Sequence, residues 1–193
     1  MPGMQYLISF ALLVALVAWM VGVYNNLEHL RRLVCVRWGH WREVTHHRNQ
    51  CMSAFARSFA PFMPVNDPLP GSLLRLSADS ERSLSLADTP RWGRPHVCLG
   101  GAEQLLRMAV ARSVHVVEDS PLMRADARLQ QLCGSMSASL CQQEQVTELF
   151  NRAARDYNAA LASPSARLLA PVFGFSGVEA LELSATQNTR SSG

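Results

Sequence analysis

The sequence predicts an all-α protein, with an N-terminal single transmembrane helix continuing into an antiparallel helical bundle. Three observations carry that expectation. Tyr6 to Val23 runs eighteen residues without a charge. Beyond it, apolar residues recur at three- and four-residue steps over long stretches, the period of one helix face. No strand-type alternation of useful length competes with that pattern.

The apolar segment comes first. Eighteen helical residues reach about 27 Å, close to a hydrocarbon core of about 30 Å, and Met4, Gln5 and Tyr24 close the gap. Tyr6, Trp19 and Tyr24 stand near its ends, where amphipathic rings favour the headgroup level. A cleaved signal peptide is the competing reading. It needs a basic leader and a small-x-small cleavage site. Met1 to Gln5 has no basic side chain, and Trp19-Met20-Val21 runs on into Tyr24-Asn25-Asn26 without a small pair. Residues 1–25 are therefore read as an uncleaved anchor.

Composition agrees. Of 193 residues, 48% are hydrophobic and only 17% charged, with a net charge of +3; soluble domains carry about 25% charged residues. The deficit sits at the start, because the first charged side chain is Glu28. All 18 basic residues are Arg, which excludes Schiff-base and P-loop chemistry, both of which need Lys. So small a net charge also argues against a nucleic-acid partner. Arg31, Arg32, Arg37 and Arg42 follow the apolar segment closely, so the positive-inside rule puts Met1 outside and the rest in the cytoplasm. With Arg48 they also give the next helix a positive face. Topogenesis and contact with anionic headgroups both account for it. Five cysteines, an odd number without paired spacing, fit a reducing compartment.

Residues 26–175 are expected to form the bundle. The first stripe is Leu27, Leu30, Val34, Trp38, Trp41, Thr45, Arg48, Met52, Phe55, Phe59 and Phe62, with Thr45 and Arg48 its polar members. Neither Pro nor Gly interrupts Val23 to Trp38, so anchor and stripe can be one continuous helix, ended by Pro61 and Pro64. Residues 63–97 hold five of the prolines and many serines without a sustained period, and read as a flexible linker with a short helical turn near Leu73 to Leu76.

A helix is expected after Gly100-Gly101, with Ala102, Leu105, Leu106, Ala109, Val110, Ser113, Val114 and Val117 on its apolar face. It should stop at Ser120-Pro121, with Ser120 capping the next helix and Pro121 in its first turn. Leu122, Ala125, Leu129, Leu132, Met136, Leu140, Val146, Leu149 or Phe150, Ala153, Tyr157 and Leu161 then predict one helix over 121–162, weakened but not ended by Gly134 and the polar run Gln142 to Gln145, and stopped at Ser163-Pro164. Residues 176–193 read as a disordered tail.

Several motifs together resemble the LemA family of bacterial membrane proteins. Tyr24-Asn25 follows the apolar segment, then Leu27, Leu30-Arg31, Val34 and Trp38, and His47-Arg48 matches the family's basic pair. Val117-Glu118, Pro121 and Ala125 resemble its Glu-x-x-Pro-x-x-x-Ala hinge. Phe150-Asn151 and Tyr157-Asn158 resemble its paired Tyr-Asn motif, with Phe for the first Tyr, and Ala170 with Phe173-Gly174-Phe175 resembles its closing motif. The match covers roughly residues 6–62 and 105–175. It departs at Gln50-Cys51-Met52-Ser53, at Pro164-Ser165 and in the Pro/Ser-rich stretch. The resemblance implies a bacterial single-pass protein of the inner membrane or a derived organelle membrane. It transfers no catalytic residues.

Other chemistry finds little support. His29, His40, His46, His47, His96 and His115 form no His-x-x-x-His pair, and Cys35, Cys51, Cys98, Cys133 and Cys141 form no Cys-x-x-Cys pair. No Gly-x-Ser-x-Gly elbow occurs. The expectation is a protein without enzyme activity, cofactor, metal or small-molecule substrate. Its partners would be the lipid bilayer and either other proteins or further copies of itself. A regulatory adaptor of a membrane enzyme such as a peptidase, and a secreted helical domain, are the alternatives. Asn151 and Asn158, seven apart, are expected to form a polar ladder between helices that fixes register, so that Asn158→Leu would raise stability.

Overall fold

The computed structural model describes residues 2–86, 89–90, 92–93 and 99–181. Among them it is all-helical: α1 Pro2–Phe59, a 3-10 turn Ala60–Phe62, α2 Leu69–Ser85, α3 Leu99–Asp119, α4 Pro121–Ala125, α5 Ala127–Leu161 and α6 Pro164–Phe173. The one extended pairing is an isolated antiparallel bridge between Trp92 and Val178.

α1 is a single helix of 58 residues. It contains one segment long and apolar enough to cross a membrane, none of it buried by the rest of the protein. Beyond it, the stripe predicted from periodicity turns inward: Leu27, Val34, Trp38, Trp41, Thr45, Arg48, Met52, Phe55 and Phe59 are all buried. The helix ends where Pro61 removes a backbone donor, and Met63 is extended.

Partners on α5 descend in number as those on α1 ascend. Trp38 packs on Phe150, Trp41 donates to Thr147, and Arg48 donates to Gln143. The same order relates α1 to α2, through Arg42 with Leu84, His46 with Glu81 and Ser53 with Ser77.

The core divides into two clusters. Leu27, Val34, Trp38, Trp41, Val146, Phe150, Tyr157 and Phe175 belong to the one nearer the apolar segment. Met52, Phe55, Phe59, Leu73, Leu106, Val110, Leu129 and Met136 form the other. Between them lies a buried polar layer centred on Arg48. Its guanidinium donates to Asn49 Oδ1 and, at 3.1 Å, to Ser80 Oγ, and it also bonds Glu103 and Gln143. Taking an arginine out of water costs several kcal/mol unless it is paired. Here α1, α2, α3 and α5 each contribute a partner, so the layer admits one register.

Three expectations change. First, residues 69–85 are a helix of the bundle rather than linker; 87–88, 91 and 94–98 of that stretch lie outside the described residues. Pro70 sits in the first turn of α2, where it removes no helical bond, and the Asp67 carboxylate accepts from Leu69 N at 2.8 Å. The hydroxyls of Ser72, Ser77, Ser83 and Ser85 donate back to carbonyls three or four residues earlier, so their polarity is met within the helix.

Second, the helix expected over 121–162 is broken at Asp126, whose backbone is extended and whose carboxylate caps α5 by accepting from Leu129 N. Ser120 caps α4 through Met123 N, as anticipated. Third, α3 starts at Leu99 and so takes in Gly100-Gly101. Arg48, counted above toward a lipid-facing basic surface, is fully buried and serves the core.

Candidate functional site

Many of the motif residues named above gather at the end of the bundle beside the apolar segment; His47-Arg48 and the hinge residues Val117, Glu118, Pro121 and Ala125 do not. α5 positions Asn151, Tyr157 and Asn158, two turns of one helix face. The C-terminal chain leaves α6 at Gly174, whose backbone is left-handed (φ 69°), a conformation glycine adopts without a Cβ penalty. It then runs back along α5. Residues 176–181, expected to begin a disordered tail, are thus bound to the bundle; 182–193 lie outside the described residues.

The two asparagines hold that segment by its backbone. Asn158 Nδ2 donates to Val178 O at 2.6 Å while its Oδ1 accepts from Val178 N at 3.0 Å. Asn151 Nδ2 donates to Leu181 O at 2.9 Å, and its Oδ1 accepts from Leu181 N at 2.7 Å. The spacing explains the fit. Seven helical residues advance about 10.5 Å, and three extended residues about 10 Å. Asparagines at i and i+7 therefore meet backbone groups at j and j−3.

The motif is a peptide clamp rather than an Asn ladder between helices. That reverses the expectation for Asn158→Leu, because the buried partners are obligatory backbone groups rather than a second amide.

Neighbouring groups complete the clamp. The Tyr157 hydroxyl donates to Ser176 O at 3.0 Å. Burial pushes this phenol above the ordinary tyrosine range, against the Arg31 cation, which pulls it down. Gly93 N donates to Gly177 O at 2.7 Å on the other side of the segment. A Cβ on Gly177 would lie 3.2 Å from Asn158 Oδ1, so this position favours glycine. Phe175, Val178 and Leu181 are buried in the adjoining cluster. Trp92 packs edge-on against Tyr157 at 5.4 Å, and the Arg31 guanidinium lies 5.0 Å from the Trp92 ring and 5.8 Å from that of Phe175. Tyr24 meets Phe173 at 5.1 Å and Phe175 at 5.7 Å.

Tyr24, Asn151, Tyr157, Asn158, Phe173, Gly174 and Phe175 thus come together, with Trp38 one step deeper against Phe150. Asn25 is exposed on α1. Pro121 stands apart, opening α4, whose Met123 belongs to the other core cluster. Arg31, Trp92, Gly93 and Gly177 were not foreseen. The only sequence signal for the bound segment is the three-residue spacing of Phe175, Val178 and Leu181, which matches neither a helix nor a strand.

A second polar constellation lies between α1 and α2, lining a groove of about 390 Å³ with His46, Asn49, Gln50, Ser53, Ser77 and Glu81. His46 Nδ1 is 2.6 Å from Glu81 Oε1, and its Nε2 is 2.8 Å from Gln50 Nε2. Both ring nitrogens are engaged, and Ser53 and Ser77 bond each other. The groove ties α2 to α1 without presenting a free base and nucleophile. Burial raises the thiols of Cys51 and Cys133, which makes them weak nucleophiles at neutral pH. Among the described residues no three His, Cys, Asp or Glu side chains are grouped to hold a metal ion. Comparison with known protein families, with curated proteins and with solved structures finds no match.

Proposed function

We propose that this chain is a non-enzymatic, single-pass membrane protein whose cytoplasmic bundle of antiparallel helices scaffolds or binds partners at the membrane. The observation that carries the reading is α1. It joins a bare apolar stretch to a fully used bundle face without a break. The arginines after the apolar stretch favour the N-terminus outside. The LemA-like motifs favour a bacterial inner membrane or an organelle membrane derived from it. Their gathering around one clamp gives the resemblance a common structural purpose.

Partner binding or self-association is supported by apolar side chains left on the bundle surface, Val36 and Leu122 among them. The test is crosslinking in intact membranes, extraction in detergent and recovery of the full chain. A stoichiometric non-enzymatic partner, or a second copy, is the expected result. A stoichiometric membrane peptidase would favour the adaptor reading. Recovery as a lone monomer would refute both. A mature N-terminus lacking about 25 residues would refute the anchor.

A further inference from the structure

Helix α6 carries two opposed apolar faces, and among the described residues only one of them has a protein partner. Ala166, Leu169 and Ala170 are buried against the bundle. On the opposite side Leu168 is 73% exposed and Val172 74%, while Phe173, on the bundle-facing side at the end of the helix, is 41% exposed. Their place in the fold identifies what covers them.

Phe173 packs on Tyr24, which closes the apolar segment of α1. Extending the α1–α5 pairing of Trp38 with Phe150 and Trp41 with Thr147 sets Leu161, the last residue of α5, beside Leu27. α6 starts three residues later and ends at Tyr24. Its ten residues, about 15 Å long, therefore begin and end within about one turn of α1. It lies across the end of the bundle rather than along it. The ends are fixed: Ser163 accepts from Ala166 N, and Phe175 N donates to Ala170 O past Gly174. The exposed face is thus held at the level where the uncovered apolar surface of α1 begins, at Val21 and Tyr24. Charge agrees. Between Asp156 and Glu179 the only charged residue is Arg167, exposed beside Leu168, and the α1 carboxylate at this level, Glu28, is paired with Arg32 at 2.9 Å.

We propose that α6 is an interfacial helix whose Leu168, Val172 and Phe173 rest in the headgroup–acyl boundary of the same bilayer that holds the apolar segment. The proposal rests on the membrane reading of α1. The bundle then touches lipid at two points, one crossing the bilayer and one lying on it, and cannot swivel freely about α1. Arg167 keeps its charge among the headgroups while its stem covers apolar surface.

The test reconstitutes the purified full chain, without other proteins, in phosphatidylcholine–phosphatidylglycerol vesicles. An apolar aryl diazirine dissolved in the bilayer is photolysed, and labelled residues are mapped by mass spectrometry. Tyr6 to Val23 is the internal standard for lipid contact. Leu105 and Met108, exposed apolar residues of α3, are the standard for water. They lie near the Arg48 layer, about 36 Å along α1 from Tyr24.

Leu168, Val172 and Phe173 are expected to be labelled about tenfold above Leu105 and Met108. The double variant Leu168→Ser/Val172→Ser should lose the α6 label while keeping the helical spectrum and the Tyr6 to Val23 label. Label on Tyr6 to Val23 with none on α6 overturns this proposal and leaves the anchor standing. Label on neither overturns both. An α6 label that appears only when the chain is diluted in lipid makes the covering surface a second copy, and overturns it too.

Discussion

Replacing Asn158 by Leu separates a clamp from a helix-register ladder, because the two predict opposite signs. In a ladder the change deletes a costly buried amide and stabilises the protein. In the clamp it strands both backbone groups of Val178, which is only 3% exposed. The two bonds lost measure 2.6 and 3.0 Å. Leaving a buried donor or acceptor unmet costs about 1–3 kcal/mol each. Asn158 is itself only half-buried, so the leucine recovers about 1 kcal/mol by burial, leaving a net loss of about 1–5 kcal/mol.

In a chain of this size each kcal/mol moves the melting temperature by about 2–4 °C. A fall of roughly 2–20 °C is therefore expected for the detergent-solubilised chain followed by circular dichroism. The loss is bounded by whatever holds Phe175 to Leu181 down, since that segment can detach while the helices stay paired. Amide hydrogen exchange reads the detachment directly. The Val178 and Leu181 amides should exchange at least about 5-fold faster in the variant. An unchanged or higher melting temperature, with the Val178 amide still protected, would refute the clamp.

Other expectations concern the core, the phenol and the topology. Arg48→Met removes the cation shared by Glu103 and Gln143, leaving Glu103 only the longer contact to Arg107 at 3.7 Å, and should cost about 3–5 kcal/mol in denaturant titration, whereas the pair Arg48→Met/Glu103→Leu should recover most of that; equal losses in both would argue against the polar layer. The pKa of Tyr157 is higher folded than unfolded, so its contribution is complete below about pH 10 and fades as pH rises through the folded value. A melting curve taken against pH should show that alkaline loss in the wild type and lack it in Tyr157→Phe, which should also lose about 1 kcal/mol at neutral pH with its bond to Ser176. Cys35 is exposed on α1 beyond the arginine-flanked apolar segment. A membrane-impermeant thiol reagent should leave it unlabelled in intact cells and label it after permeabilisation; labelling before permeabilisation would reverse the topology.

The helix faces were legible because burial follows period. Every predicted stripe residue of α1 from Val34 to Phe59 is buried, including the two polar ones. α2 was not legible, and the reason is physical. The residues that complete its face between Leu73 and Leu84 are Ser77, buried against Ser53, and Ser80, which serves Arg48 and Asn49. A face that packs against a polar layer carries no apolar period. The same layer accounts for the weak pattern around Gln142 to Gln145, where Gln143 is buried on Arg48. Asn151 and Asn158 stood out by their spacing, but their partner was hidden. Backbone groups have no letter in a sequence, and the segment they hold repeats neither as helix nor as strand.

The unbroken length of α1 has a mechanical consequence. On the proposal that its first turns sit in lipid, the helix has no proline or loop at which bilayer motion could be absorbed before the bundle core begins at Leu27. Tyr24 to Phe59 forms an arm of about 50 Å, so a 10° change in tilt sweeps its far end through about 9 Å. Because that arm is also one wall of both core clusters, the whole bundle moves with it as one body. On the proposed membrane reading, bilayer thickness thereby becomes a quantity this protein can convert into displacement at the far end of α1, without any change in its own internal contacts.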